Sequence, residues 1–204
     1  AYYTTVRQYR DLGPCCWEWR HWFEAQALRL SYLHSWQGTT GPNQFGVTGT
    51  WAINQAAHRV MDKGDDSRGL GRWSWVRLRG KFPVKIRIIS AYRPFASKRG
   101  PASVYNQQKT MLLAQDIETC PREIFTNDLV EAIKTWQDEG DRIVLGIDVN
   151  EEISKWEGTA RLAAMGITEI NTKHGRRINT RKNGSTTIDG MYVSATLANC
   201  KCGY

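Results

Sequence analysis

The sequence predicts a single layered α/β (α+β) domain. Residues Val84 to Tyr92 alternate apolar and charged side chains as a half-buried strand does, and Ile143 to Ile147 form the short β-branched run of a buried strand. Residues Phe125 to Glu139 repeat apolar side chains at helical spacing. No Pro/Ser-rich linker divides the 204 residues, so we expect one domain, spanning residues 1–204, in which helices and strands pack in layers.

In the first half of the chain, Trp22 to Leu33 has apolar residues at helical spacing and predicts an amphipathic helix. Val47 to Ile53 and Trp73 to Arg79 are rich in β-branched and aromatic residues, so each predicts a strand. The polar, glycine-containing residues 61–71 between them predict a turn.

In the second half, Pro94 ends the strand that precedes it because proline cannot donate a ladder hydrogen bond. Ser103 to Gln115 predicts a helix that Ser103 caps, and Phe125 to Glu139 predicts a second helix. After the apolar strand that starts at Ile143, Arg161 to Met165 predicts a short helix and Ile188 to Val193 a final strand.

The charge of the chain favours a polyanionic partner. Lys and Arg outnumber Asp and Glu by 28 to 20, which gives a formal charge of +8, and nucleic acid is the commonest partner of such proteins. Basic residues concentrate in two tracts. In the first, residues 72–81, Arg alternates with Trp73 and Trp75. We expect these tryptophans to lie in the core, with the arginines on the solvent face, rather than to stack on bases. The second tract, residues 173–182, contains Arg176, Arg177 and Arg181.

The sequence contains no run of the roughly 20 apolar residues that span a bilayer, so we expect no membrane partner. The five cysteines match no common zinc module, and we expect reduced thiols in an intracellular rather than a secreted protein. A metal site that joins Cys15-Cys16 to Cys200 and Cys202 is the alternative, if the two ends of the chain meet.

Polar residues with chemical potential lie where strands end. Asp148 and Asn150 follow an apolar strand two residues apart, so alternation should direct both to one face while Val149 enters the core. Asp can accept a proton from water and Asn can donate hydrogen bonds to a phosphate oxygen, a combination suited to phosphate-ester hydrolysis. The alternative is a strand-end turn that caps the next helix. Tyr92 and Asp189 lie at two other strand ends, so these groups could converge.

Three ordered motifs resemble the endonuclease/exonuclease/phosphatase superfamily. "AYRP" follows the first of these strands, "LGIDVN" resembles the G-D-x-N motif of the family with Ile147 inserted, and "TIDGMYVS" resembles its I-D-x-x-x-x-S strand. The tract "GLGRWSWVRLRGK" is similar to endonuclease domains encoded by retroelements. The resemblance implies a four-layered α/β sandwich and metal-dependent endonuclease activity on nucleic acid, with DNA favoured over RNA.

The resemblance also implies a role for each matching residue. Asp148 would orient or deprotonate the attacking water, Asn150 would bind a phosphate oxygen and help to hold Asp148, and Tyr92 would contact the scissile phosphate. Asp189 would orient a catalytic histidine. The implied cofactor is Mg²⁺ or Mn²⁺, for which Asp148 and Asn150 are the candidate ligands. Contacts to nucleic acid would come from a separate set of basic residues: Arg93, Arg176, Arg177 and Arg181.

The sequence departs from the family at two places. The late Ser-Asp-His motif does not follow Ser194, and the early Asn and metal-binding Glu have no convincing match near residue 20. We therefore expect a partial domain, incomplete at both ends. An inactive domain that binds nucleic acid, and a phosphatase acting on a small or lipid phosphate, remain the alternatives to an active endonuclease.

Overall fold

The computed structural model describes residues 48–96, 100, 103–170, 180 and 186–198, together with the backbone of residues 31–34. Its main feature is a mixed six-stranded sheet in the spatial order β3-β4-β5-β6-β8-β7, accompanied by a two-stranded sheet of β1 and β2. In chain order the strands are β1 (Ser31–His34), β2 (Gly49–Ala52), β3 (Val60–Asp65), β4 (Trp73–Arg79), β5 (Lys85–Tyr92), β6 (Asp141–Asp148), β7 (Ile167–Glu169) and β8 (Asp189–Ser194).

Three of the described α-helices lie between strands of the larger sheet along the chain, and a fourth follows its last strand. They are α1 (Val104–Leu113), α2 (Pro121–Asp138), α3 (Glu157–Ala164) and the short α4 (Ala195–Ala198). Helices α1 and α2 form the crossover from β5 to β6, which pair in parallel, whereas every other described strand pair is antiparallel. None of the described helices is long and apolar enough to cross a membrane.

The six-stranded sheet buries its two faces against different partners. One face packs on α2 and α3 through a core centred on Ile89, Leu145 and Phe125, each wholly buried. On the other face, Val76 and Leu78 of β4 pack against Ala52 of β2, which places the small sheet on that side. Because strand side chains alternate between faces, odd-numbered residues of β4, β5 and β6 face the helices and even-numbered residues face the small sheet.

This architecture confirms the predicted α/β class. The described residues supply helices, the six-stranded sheet and the small sheet, which are three of the four expected layers. The strand predicted from residue 73 to residue 79 has these bounds in the structure, and Ser103 caps α1 by accepting a hydrogen bond from the Asn106 N–H at 3.3 Å. Cys120, the one cysteine among the described residues, is a free, exposed thiol.

Several local predictions differ from the structure. Residues 61–65, predicted as part of a turn, belong to β3, because an edge strand can pair with β4 on one side and expose polar side chains on the other. Helix α2 begins at Pro121 rather than Phe125, since proline is well tolerated in the first helical turn. Residues 31–33, predicted as the end of a helix, lie in β1; residues 22–30 lie outside the described part of the chain.

A further prediction, that the arginines of residues 72–81 face solvent, holds for the exposed Arg79 and was wrong for Arg72. The tryptophans do enter the core, with Trp73 buried and Trp75 half-buried. Arg72, however, is 0% exposed and binds the equally buried Asp66 through Nε at 2.6 Å. Asp66, which lies within the residues predicted to form a turn, is buried because a guanidinium compensates its charge.

A second charged cluster lies at the opposite end of β5. Arg87 is 2% exposed and lies between the rings of Trp75 and Trp136, with centroid distances of 4.0 and 4.6 Å. Its Nη2 is 2.8 Å from Asp141, which also binds Arg77 at 2.8 Å. Each charge in this cluster has a close partner of opposite sign, so the cluster joins β4, β5 and β6 without a bound ligand.

Candidate active site

Three of the predicted site residues form one row across the sheet. Tyr92 is the last residue of β5, Asp148 is the last residue of β6, and Asp189 is the first residue of β8. In the strand register, Tyr92 pairs with Asp148 and Asp148 pairs with Asp189. The parallel β5 and β6 end at the same edge and the antiparallel β8 begins there, so the convergence expected from the sequence is present in the structure.

The row lies on the sheet face opposite the helices. Ile147 and Val149 are buried on the helix side, at 3% and 0% exposure, so alternation directs the side chain of Asp148 to the other face. Tyr92 and Asp189 are its register partners and share that face. Tyr92 is 4% exposed, whereas both aspartates are half-buried. A carboxylate pair beside a buried phenol ring therefore forms a polar strip at the rim of the sheet.

Asp148 has an environment that favours proton uptake. Burial raises its pKa to about 6, and the neighbouring negative charge of Asp189 acts in the same direction. The Asn150 N–H, which donates to Asp148 Oδ1 at 2.8 Å, and the more distant Arg122 oppose this rise. A carboxylate with a pKa close to neutrality is mostly ionised at pH 7 and still basic enough to take a proton from a positioned water.

Asn150 reaches the site differently from the prediction. The strand ends at Asp148, and Asn150 adopts a left-handed conformation with φ of 51°, so it does not continue the strand alternation. Its backbone N–H holds Asp148, and its Nδ2 donates to the Arg93 carbonyl at 2.7 Å. The alternative interpretation of a strand-end turn is therefore correct for the local backbone, and the same turn fixes the orientation of the Asp148 carboxylate.

Arg93 belongs to a buried ionic clamp behind this row. Its Nη1 binds Glu151 Oε1 at 2.7 Å, and Arg122 binds the other oxygen of Glu151 at 2.8 Å. Burial lowers the pKa of Arg93, and the like charge of Arg122 lowers it further. With its side chain only 11% exposed, Arg93 ties the end of β5 to the turn after β6, and its predicted contact with nucleic acid stays a prediction.

Two features that support the row were not foreseen from the sequence. The Arg72 carbonyl accepts the Tyr92 N–H at 2.8 Å, so the buried Asp66–Arg72 pair positions the end of β5. Thr180 Oγ1 accepts the N–H groups of Ile188 and Asp189 at 2.9 and 3.2 Å, which fixes the start of β8. Neither contact follows from a local pattern of the sequence, so only the structure could show them.

Several predicted residues cannot be placed. Arg176, Arg177 and Arg181 lie outside the described residues, as do Cys15, Cys16, Cys200 and Cys202. Within the described ranges, no cluster of three or more His, Cys, Asp or Glu side chains could hold a metal ion. Asp148 and Asp189 supply two carboxylates, and Mg²⁺ commonly uses one or two carboxylates completed by water and phosphate oxygens. The donor chemistry of the row therefore fits such an ion, with the amide oxygen of Asn150 as a further candidate.

The comparisons with known proteins bear on the fold. No protein-family model and no curated protein sequence matches the chain. The catalytic domain of human Nocturnin superposes with a TM-score of 0.51 at 12% identity, covering 82% of this chain and 61% of that domain. The fold is that of the endonuclease/exonuclease/phosphatase proteins. This chain thus spans less than two thirds of the length of the Nocturnin domain.

Two further structures with this fold are similar over most of the chain. An endonuclease/exonuclease/phosphatase family protein from Bacteroides thetaiotaomicron has a TM-score of 0.48 at 10% identity, covering 86% of this chain and 64% of its own. A truncated TDP2 from Caenorhabditis elegans has a TM-score of 0.48 at 13% identity, covering 94% of this chain and 68% of its own.

Proposed function

We propose that this chain carries the site of a metal-dependent phosphodiesterase that cleaves nucleic acid. The observation that carries the proposal is the row of Tyr92, Asp148 and Asp189, which the register aligns at the ends of three adjacent strands. Two carboxylates are held next to each other although their repulsion disfavours the arrangement. A cation or a proton that binds between the carboxylates during catalysis would offset this repulsion.

Asp148 is the base in this proposal. The oxygen of the attacking water would form a bond to phosphorus while one water proton passes to the Asp148 carboxylate, and the bond from phosphorus to the leaving oxygen would break. The Asn150 N–H holds Asp148 in one orientation, so little reorganisation is needed when the proton arrives. Tyr92, buried beside Asp148, would donate its phenol O–H to a nonbridging phosphate oxygen.

The divalent ion implied by the fold would be held by Asp189, with Asn150 as a further candidate, while the neighbouring Asp148 carboxylate stays available for the water proton. Mg²⁺ or Mn²⁺ at this position would neutralise charge on the phosphate. In the absence of an ion the two carboxylates repel each other, and this repulsion is one of the causes of the raised pKa of Asp148.

Nucleic acid is the proposed substrate because the chain has a formal charge of +8 and phosphate contacts dominate such binding. DNA is preferred to RNA, and an endonuclease of the retroelement type is the specific form that the sequence motifs favour. The basic residues 176, 177 and 181 remain the predicted contacts for the phosphate backbone.

The test is nicking of supercoiled plasmid by the full chain with Mg²⁺ and with a chelator. We expect metal-dependent nicking that Asp148→Asn slows by about 10²- to 10⁴-fold, the scale of losing a general base. Asp138→Asn is the matched control, since Asp138 is an exposed aspartate at the end of α2, and it should leave the rate unchanged.

Three other outcomes would overturn the proposal. A folded chain that binds plasmid with steep salt dependence but never nicks it is an inactive binding domain. Release of phosphate from a small phosphomonoester without nicking identifies a phosphatase. Equal loss of nicking in the Asp148 and Asp138 variants would show that the row does not contain the active site.

A further inference from the structure

The turn that joins β4 to β5 exposes an aromatic ring. Residues 81–84 form a tight turn closed by a hydrogen bond from the Val84 N–H to the Lys81 carbonyl at 2.8 Å, and the Gly80 N–H binds the Val84 carbonyl at 2.9 Å. Phe82, at the tip of the turn, is 94% exposed. The other large apolar side chains that are exposed in the described ranges reach at most 53%.

The fold gains little from a phenylalanine at this position. The turn is closed by backbone hydrogen bonds, which any residue could provide, and a ring that is 94% exposed buries almost no apolar surface. The aromatic ring becomes useful when a second molecule covers it.

Three basic residues flank Phe82 along the hairpin. Arg79 and Lys85 are direct register partners across β4 and β5, an arrangement that like charges disfavour, and Lys81 is exposed beside Phe82. Among the described residues, no carboxylate forms an ion pair with any of the three. Two residues further into the sheet, Arg77 and Arg87 are neutralised by Asp141 and Glu139, so the positive charge is left uncompensated only at the end of the hairpin.

We propose that residues 79–85, here called the hairpin tip, bind single-stranded nucleic acid. An unpaired base would stack on the Phe82 ring, while Arg79, Lys81 and Lys85 contact the flanking phosphates. An exposed ring set among cations is what a sequence-tolerant single-strand site requires, because every base has a π-face and every nucleotide has a phosphate. A lipid surface fits less well, since one ring buries too little apolar area to anchor a protein.

The hairpin tip is distinct from the candidate active site. Strand β5 runs from Lys85 to Tyr92, and at about 3.3 Å per residue the tip lies about 23 Å from the row that contains Asp148. Phe82 therefore cannot contact the reacting phosphate. The hairpin tip would hold a single-stranded part of a substrate away from the candidate active site. This inference rests on the proposed function only in taking nucleic acid as the partner.

The experiment measures binding of a fluorescently labelled oligothymidylate to the full chain by anisotropy. Chelator is present, so that no cleavage occurs. We expect Phe82→Ala to weaken binding about tenfold, the scale of one stacked base, and Phe82→Trp to bind at least as tightly as the parent chain. Leu113→Ala is the matched control because Leu113 is an exposed apolar residue elsewhere, on α1, and its affinity should equal that of the parent.

A salt series separates the ring from the cations. The double variant Lys81→Gln, Lys85→Gln should make the slope of log affinity against log salt shallower by up to about 1.4, since each lost phosphate contact on a single strand accounts for about 0.7. Phe82→Ala should leave that slope unchanged, because stacking releases no counterions. The proposed site therefore predicts weaker binding with an unchanged slope for Phe82→Ala, and a shallower slope for the lysine double variant.

Equal affinity of Phe82→Ala and the parent chain would overturn the inference. So would a loss confined to vesicles of anionic lipid, which would assign the hairpin tip to a membrane surface instead. Plasmid nicking at saturating DNA should be the same in Phe82→Ala and the parent. A chain that does not nick at all leaves the binding measurement intact, so failure of the proposed function and failure of this inference are distinguishable.

Discussion

The two ends of β5 and β6 carry charged groups under opposite conditions. At one end Arg87 and Asp141 are both buried and contact each other at 2.8 Å, with Arg77 and Glu139 completing the cluster. At the other end Asp148 and Asp189 are register partners with the same charge, and burial and this repulsion raise the pKa of Asp148. The first end has its charges compensated within the fold, and the second does not.

This difference distinguishes a structural cluster from a candidate binding site. Burying a charge costs several kcal/mol unless a partner compensates it, so the carboxylates at the second end lower stability in the free protein. Groups that lower stability and lie together at a sheet edge are candidates for function. Burial alone does not separate the two ends, because both contain buried ionisable groups; the sign of the neighbouring charge does.

The largest effect should come from the compensated end. Asp141→Asn removes the charge that both Arg77 and Arg87 contact, which leaves a 2%-exposed guanidinium without its main partner. We expect the free energy of unfolding to fall by about 3 kcal/mol, the usual cost of breaking a buried pair. Urea denaturation at pH 7 measures it.

Glu139→Gln is the matched control for this change. Glu139 contacts the same two arginines but is 44% exposed, so the loss should stay below about 1 kcal/mol. Similar losses in the two variants would show that burial does not set the value of these pairs. The comparison between the ends would then lose its basis.

The opposite sign is expected at the second end. Because the folded pKa of Asp148 is about 6 and its ordinary value is 3.8, the folded state binds a proton more tightly than the unfolded state. Stability from this group is fully present below pH 3.8 and is lost as the pH rises through 6. In metal-free buffer, Asp148→Asn should therefore stabilise the chain at pH 8, by up to about 3 kcal/mol, and not at pH 3.5.

Chemical denaturation at both pH values measures this effect. Asp138→Asn provides the baseline for an exposed aspartate and should be neutral throughout. If Asp148→Asn is no more stable than the parent at pH 8, neither burial nor the charge of Asp189 destabilises the ionised Asp148 carboxylate. Addition of Mg²⁺ should stabilise the parent more than the Asp148 variant, since an ion bound to the native state adds to its stability.

The smallest effect concerns the turn that orients Asp148. Asn150→Gly keeps the left-handed backbone and loses the hydrogen bond to the Arg93 carbonyl, at a cost of about 1 kcal/mol. Asn150→Ala loses the same hydrogen bond and also adds about 1 kcal/mol for the left-handed conformation. Thermal unfolding of the two variants should rank glycine above alanine. An equal pair would mean that the turn can relax without a left-handed residue.

The sequence predicted the strand ends better than the groups that hold them. Tyr92, Asp148 and Asp189 were identified because each follows or begins an apolar strand, and strand periodicity is a strong local signal. The register that aligns the three could not be predicted, since it depends on pairing between segments far apart in the chain. The same limitation applies to Arg72 and Asp66, whose buried pair follows no sequence pattern.

The remaining differences between the sequence predictions and the structure lie in an edge strand and in a turn. Strand β3 exposes Asp62, Lys63 and Asp65, so its composition is that of a loop, although its backbone pairs with β4. Asn150 was expected to continue a strand, because the pattern of apolar residues does not reveal a positive φ. In both places a tertiary contact, rather than intrinsic propensity, decides the conformation.

The parallel pairing of β5 with β6 has a kinetic consequence. Strands β3, β4 and β5 follow one another along the chain and can pair through short connections, whereas β6 must wait for residues 93–140, with α1 and α2, to fold back across the sheet. The entropy lost in closing this loop is not offset until the contacts between β5 and β6 form, so folding is slow. Tyr92 and Asp148 meet only across this pairing, so the candidate site should form last during refolding, after most of the hairpin structure.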